Sequence, residues 1–213
     1  MTILHHPDGS TLMSFAAGAL PEALSAVVAA HGVLCEDCRR EIATMNRLGG
    51  AVMGAAEEEP LLDTRGLTAD AAPGLPEALP RAKRGQEVGA TLVRVLAHDF
   101  SAVRWRRLGL GVWHMPLDLS DKSSGDLRLI KVAPGQAMPD HGHGGSELTL
   151  ILNGRYTDEV GTFALGDLAD LDGDVEHMPV SCPKEGCICL IASERPAKFK
   201  GLFARMVQPF IGM

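Results

Sequence analysis

The chain has 213 residues, 46% of them hydrophobic, which is enough for one large domain or two small ones. Its formal net charge of -7 argues against direct nucleic-acid binding through an overall basic surface. No run approaches the ~20 apolar residues of a membrane-spanning helix, no export signal is visible, and the five cysteines are an odd number, so we expect a reducing cytoplasm and no membrane partner.

The amino-terminal part of the chain is predicted to form a small helical domain that binds zinc. Apolar residues recur at helical spacing over 12–28, and His31, Cys35 and Cys38 follow at positions i, i+4 and i+7. On one helix of about 3.6 residues per turn, these three side chains share a face. They would supply three corners of a tetrahedral zinc site.

We expect His6 to be the fourth zinc ligand, because a structural zinc ion takes four protein ligands. His6 lies just before a Pro-Asp pair, where a helix can begin with Asp8 as its cap. The alternative is that Cys35 and Cys38 form a redox pair and that His31 is an ordinary helix-face residue. A thioredoxin-type pair follows a strand, whereas an alanine-rich helical run precedes this one, which favours zinc.

The helical pattern continues over 39–52, with Ile42, Met45 and Leu48 on one stripe. Residues 1–60 contain three arginines and eight acidic residues, a formal charge of -5. Such an acidic module suits a basic partner, although a merely solubilising surface would have the same charge. From residue 54 to about 89, several prolines, an acidic run and a basic cluster predict a linker that lets two domains rearrange.

From residue 90 onward the hydrophobic period shortens toward 2, which is typical of strands. The strand-like runs are 92–96, 127–132, 147–152, 161–165 and 188–192. Their spacing predicts an antiparallel barrel or jelly roll. The expected fold class is therefore α+β, with an all-α zinc domain and linker over 1–85, an all-β domain over 90–195, and a carboxy-terminal extension over 196–213.

The β half matches the first motif of the cupin family, whose fixed positions here are Gly135, His141, His143, Glu147 and Gly154. His141 and His143 are two residues apart and point to the same side of an extended segment, and Glu147 has the same parity. These three residues are candidate ligands of a second metal ion.

A second, altered cupin motif runs from Gly166 to His177. Asp172, Asp174 and Ser181 stand where the family usually has Pro, Gly and Asn. His177 is the only histidine after the first motif and is the expected fourth ligand. Three imidazoles and a carboxylate bind Zn, Fe, Mn or Ni, and ligand type does not decide among them. A cupin without metal is the alternative, but it does not explain why these four residues occur together at the spacing of the motif.

Three further cysteines, Cys182, Cys187 and Cys189, lie near the end of the predicted barrel. On a strand, Cys187 and Cys189 share a face, which a redox pair would need. Buried cysteine is more often a small hydrophobic residue, and we favour that interpretation.

Taken together, the His6 and His31-x3-Cys35-x2-Cys38 spacing and the cupin motif resemble the ChrR-type zinc-binding anti-sigma factors over nearly the full length. The resemblance implies that the helical domain sequesters an alternative sigma factor of the extracytoplasmic-function type, 1:1, without binding nucleic acid itself. It further implies zinc in the helical domain, no catalytic residues, and release of the sigma factor in response to singlet oxygen or a related oxidant. The rival hypothesis is a cupin metalloenzyme, such as a dioxygenase or isomerase, with an amino-terminal zinc interaction module.

Overall fold

A computed structural model of the protein describes residues 2–55, 83–120, 123–139, 141–142, 144–173, 175–195 and 198–199. Most of the predicted linker lies outside these residues, as does His143. Among the helices that the structure describes, none is long and apolar enough to cross a membrane.

Four helices are described: α1 (Gly9–Ala16), α2 (Glu22–Leu34), α3 (Glu36–Ala55) and α4 (Lys83–Leu96). Asp8 occupies the N-cap position of α1, but its side chain makes no capping hydrogen bond. The backbone N–H of Asp8 instead donates to the carboxylate of Asp170 at 2.9 Å. The start of α1 is therefore tied to the β half of the chain rather than capped by its own side chain.

The zinc motif does not lie on one continuous helix, which corrects the sequence prediction. Cys35 has an extended backbone (φ -107°, ψ 111°) at the C-cap of α2, and α3 begins at Glu36. His31 therefore lies in the last turn of α2, whereas Cys38 lies in the first turn of α3. One extended residue reorients the chain between the two helices.

The prediction of a strand over 92–96 is wrong, because these residues are the last part of α4. Within this run, Val95 is buried and Val93 is exposed, while Leu92 and Leu96 pack partly against the core. Positions 92, 95 and 96 have the i, i+3, i+4 spacing of one helical face. A short apolar run does not distinguish a helix from a strand by periodicity alone.

The strands after α4 are mostly short. They are β1 (Arg106–Gly109), β2 (Val112–Pro116), β3 (Asp126–Val132), β4 (His141–Gly142), β5 (Glu147–Thr157), β6 (Thr162–Ala164), β7 (Leu168–Leu171), β8 (Glu176–His177), β9 (Val180–Ser181), β10 (Cys187–Ser193) and β11 (Lys198–Phe199). The helices followed by antiparallel strands confirm the predicted α+β class.

The strands form two antiparallel sheets within the described part of the chain. The larger runs β1-β2-β3-β10-β5-β6, with β7 and β9 also paired to β5. The smaller runs β11-β4-β8, so two residues of the predicted extension join the sheet that contains His141 and His177.

The strand β10 shows how the sheet serves two cores. Cys187 and Cys189 belong to a cluster with the interior residues of the β half, such as Ile130 and Ile151. Alternate residues Ile188, Leu190 and Ala192 belong to a second cluster that includes the buried face of α2. Because side chains alternate between the two faces of a strand, one face lines the interior of the β half and the other supports the helices.

The helices and the sheet therefore share one hydrophobic core. Leu24, Val27 and Val28 of α2 are almost completely buried, in the same cluster as residues of β3, β5 and β10. Two polar contacts accompany this packing, since Glu22 accepts hydrogen bonds from the backbone N–H of Ser120, at 3.0 Å, and from its hydroxyl. The zinc motif is thus built at the end of a helix that is docked on the sheet.

Candidate metal centres

The structure brings together His6, His31, Cys35 and Cys38, the four residues predicted as zinc ligands. One potential ligand atom from each lies within 4.8 Å of the others. His6 comes from the extended segment before α1, and the other three come from the end of α2 and the start of α3. Residues that are 25 or more positions apart in the chain therefore converge.

The distances within this cluster suit a tetrahedral zinc ion. Nδ1 of His6 lies 3.5 Å from Sγ of Cys35 and 3.4 Å from Sγ of Cys38. With Zn–S near 2.3 Å and Zn–N near 2.05 Å, a tetrahedron places N and S about 3.6 Å apart. Two thiols and two imidazoles are also a common ligand set of structural zinc sites.

The orientation of His31 is fixed from outside the helices. Its Nδ1 lies 3.0 Å from the carbonyl oxygen of Gly166, in the turn between β6 and β7. Its Nε2 is buried and has no hydrogen-bond partner among the described residues. Since Nδ1 is engaged, Nε2 is the nitrogen that His31 offers to a metal ion, and a metal would satisfy this buried polar atom.

Burial tunes the protonation of two of the candidate ligands. It lowers the pKa of His31 to about 4, although the hydrogen bond to Gly166 acts in the opposite direction. Burial, with the neighbouring Cys35, raises the pKa of the Cys38 thiol to about 12. Without metal, His31 is therefore neutral at pH 7 and Cys38 is a thiol, so zinc binding must displace the thiol proton.

The extended segment that carries His6 is hydrogen-bonded to the same turn of the β half. The carboxylate of Asp167 accepts the backbone N–H groups of Leu4, at 2.7 Å, and His5, at 3.1 Å. The backbone N–H of Leu168 donates to the carbonyl oxygen of His5 at 3.1 Å. The segment therefore runs along the start of β7, which places His6 opposite the two cysteines.

The predicted second centre lies in the β half. His141 and His177 are cross-strand partners in the smaller sheet. Glu147 is the first residue of β5 and is 6% exposed, and His177 is 3% exposed. The structure thus places two of the four predicted ligands side by side in the backbone pairing and buries Glu147, while His143 lies outside the described residues.

A buried carboxylate orients His177. Nδ1 of His177 lies 2.7 Å from Oδ2 of Asp158, whose side chain is fully buried. Burial alone would raise the pKa of Asp158, but hydrogen bonds from His177 and from the backbone N–H groups of Gly161 and Val160 lower it. Asp158 therefore carries its negative charge and holds the proton on Nδ1, as the carboxylate does in carboxylate–histidine–metal sites.

Neither Asp158 nor the contact that Gly166 makes with His31 was predicted from the sequence. Asp158 lies 19 residues from His177 and belongs to no recognisable motif. Gly166 was visible as a motif glycine, and the structure adds that its carbonyl contacts His31. Its backbone has φ +88°, a conformation that glycine adopts easily.

The three cysteines of the β half are buried and free. Cys187 and Cys189 lie in the interior cluster, and Sγ of Cys189 lies 3.8 Å from the carbonyl oxygen of Ile130. A hydrogen bond with Cys187 and burial raise the pKa of Cys189. A thiol with a raised pKa carries little thiolate at neutral pH, which agrees with a packing role for Cys189.

Known proteins resemble this chain in both sequence and structure. The family model described as the ChrR cupin-like domain matches residues 93–196. The anti-sigma-E factor ChrR of Cereibacter sphaeroides is 38% identical in an alignment of 214 positions that covers 99% of each chain. The crystal structure of Rhodobacter sphaeroides SigE in complex with the anti-sigma ChrR matches with a TM-score of 0.71 and 36% identity, covering 90% of this chain and 99% of that chain. The similarity thus includes the helices as well as the β half, and the chain belongs to the ChrR family.

Proposed function

We propose that this protein is an anti-sigma factor that binds and inhibits an alternative sigma factor of the extracytoplasmic-function type. The observation that carries the proposal is the 38% identity, over the full length, to a protein named anti-sigma-E factor. That relative is named as an anti-sigma factor, in agreement with the non-enzymatic role that the sequence predicted.

The helix α3 provides a surface that suits such a partner. It has 20 residues, so it is about 30 Å long, and its stripe of Cys38, Ile42 and Met45 packs toward the other helices. The same stripe continues with Leu48 and Val52, which are 63% and 71% exposed. A helix whose apolar stripe extends beyond its own domain is suited to binding in a groove of another protein.

The charge of the amino-terminal region suits the same partner, whereas α3 itself has three acidic and three basic residues and no net formal charge. Residues 1–60 have a formal charge of -5, and a sigma factor, which contacts promoter DNA, offers basic faces. Each chain has one α3 and therefore one such binding surface, so we propose a 1:1 complex. The partner surface lies on residues 1–85, and residues 90–195 form the domain that tunes the inhibition.

In this proposal zinc is a structural ion of the helical domain, held by His6, His31, Cys35 and Cys38. A metal site that joins segments far apart in the chain adds to the stability of the helices that it connects. Loss of the ion would separate the segment before α1 from the α2–α3 junction.

The second centre is the proposed sensor of the signal. In this proposal His141, His143, Glu147 and His177 bind a zinc ion, or an iron, manganese or nickel ion. The signal is singlet oxygen or a related oxidant. A sensor must change the equilibrium of sigma binding, so the signal must act differently on the bound and free states. The metal site is where polar groups are expected to meet in an otherwise apolar interior.

The partner surface can be tested by binding measurements with the full-length protein and a purified sigma factor of this type. Leu48→Glu or Val52→Glu should weaken binding at least tenfold, because a charge would enter an apolar interface. Leu110→Glu is the matched control, since Leu110 is 79% exposed in the β half. Equal binding by all three variants would contradict the assignment of α3 to the interface.

The role of the second centre can be tested by transcription from a promoter that depends on the sigma factor. The His177→Ala variant should still inhibit this transcription when no singlet oxygen is present. The increase in transcription caused by singlet oxygen should be smaller than with the wild-type protein. A normal response from this variant would show that sensing does not require the second centre.

A further inference from the structure

We propose that the turn between β6 and β7, together with the strand residues on either side of it (164–168), supports the amino-terminal zinc site. This inference rests on the zinc site proposed above. In it, the carbonyl of Gly166 and the carboxylate of Asp167 position His31 and the segment that carries His6. The zinc centre is then shared between the helices and the β half, rather than being a property of the helices alone.

The first support is the contact of Gly166 with His31. His31 is completely buried, and the 3.0 Å contact from its Nδ1 crosses from α2 to a turn 135 residues later in the chain. A metal-binding histidine is oriented by the hydrogen bond of its other ring nitrogen. No residue of the described helices makes this contact with Nδ1, so its orientation depends on the turn.

The second support is the buried carboxylate of Asp167, which is 3% exposed as a residue. It accepts three backbone N–H groups, from Leu4, His5 and Ala164, at 2.7, 3.1 and 2.9 Å. The first two come from the segment before α1, and the third comes from the turn itself. One carboxylate thus fastens the residues just before His6 to the β6–β7 turn.

The side chain of His5 also lies against this part of the β half. Its Nδ1 lies 3.4 Å from Oδ2 of Asp167, and its ring lies 4.4 Å from the ring of Phe163 in β6. Together with the Leu168 N–H bond to the His5 carbonyl, these contacts fix the residue next to His6 on both its backbone and its side chain.

A consequence for regulation follows. Two of the four zinc ligands depend on one turn of the β half, so a change that moves this turn changes the zinc affinity of the helical site. By linkage, zinc binding must influence the turn to the same extent. A structural change in the β half can therefore reach the proposed partner-binding helices through the contacts of Gly166 and Asp167.

The test uses Co²⁺ as a probe in the full-length protein, because a thiolate-bound cobalt ion has a charge-transfer absorption that a site of three imidazoles and a carboxylate lacks. Displacement of this band by zinc measures the affinity of the cysteine-containing site. Asp167→Ala should weaken zinc binding at this site by about tenfold, the lower end for residues that support metal ligands. Asp118→Ala, an exposed carboxylate of the β half, should leave it unchanged.

A second pair of variants leaves the β half untouched. Leu4→Pro removes the N–H that donates to Asp167, whereas Leu4→Ala keeps it, and the Leu4 side chain is 71% exposed. The proline variant alone should weaken zinc binding. Wild-type affinity in both Asp167→Ala and Leu4→Pro would overturn the inference while leaving the zinc site intact. Absence of the charge-transfer band in the wild-type protein would instead overturn the zinc site itself.

Discussion

Replacement of Leu24 by alanine tests whether the helices and the sheet unfold as one unit. Leu24 is 2% exposed on α2 and lines the same cleft as Leu148 of β5. Truncation of a buried leucine costs about 2–5 kcal/mol, so we take about 3 kcal/mol for Leu24→Ala. For a chain of this size, with an m-value of about 3 kcal/mol per molar urea, the unfolding midpoint should fall by about 1 M.

The two halves of the chain can be followed separately during unfolding. Both tryptophans, Trp105 and Trp113, lie in the β half, so their fluorescence reports on that half. Far-ultraviolet circular dichroism reports mainly on the helices. Because the core is shared, we expect the two signals to change together in the wild-type protein and to move together in Leu24→Ala. Met13→Ala, at a position that is 62% exposed on α1, should have little effect.

The result that would refute this reasoning is a split transition. If the fluorescence midpoint stays at its wild-type value while the dichroism midpoint falls, the helices are only loosely attached to the sheet. The two halves would then be independent domains, and the contact between α2 and the sheet would carry little free energy.

Two further predictions concern the metal centres. Cys38→Ala should separate the segment before α1 from the α2–α3 junction and abolish sigma binding, because it removes a ligand of the proposed structural zinc. Cys187→Ala should retain binding, and a metal-free Cys38 variant that still binds sigma would contradict the structural role. Asp158→Asn should lower the metal affinity of the second centre about 10–100-fold, because an amide oxygen holds the proton on Nδ1 of His177 less well than a carboxylate does. Glu159→Gln should leave the metal affinity unchanged. The metal content of both variants after dialysis measures the effect, and equal metal content would count against the role of Asp158.

The residue types and their spacing were sufficient to predict the candidate ligands. His31, Cys35 and Cys38 are close in the chain, so any compact local structure keeps them together, and the donor atoms themselves indicate zinc. The short apolar runs likewise predicted the strand β3 and the first half of β5, whose residues are buried almost continuously because both faces of the sheet contact a core. These features depend on local periodicity, which a sequence displays directly.

Other features were decided by contacts between distant segments. The run 92–96 became part of a helix because Val95 could be buried against a core assembled from elsewhere in the chain. The attachment of α2 to the sheet and the contacts of Gly166 and Asp167 with the zinc segment also join residues more than 100 positions apart. Such contacts leave no periodic signal, because a backbone carbonyl or a single carboxylate can serve a distant ligand from any sequence context. The sequence by itself determined which side chains can hold metal, and the tertiary structure decided what holds those side chains in place.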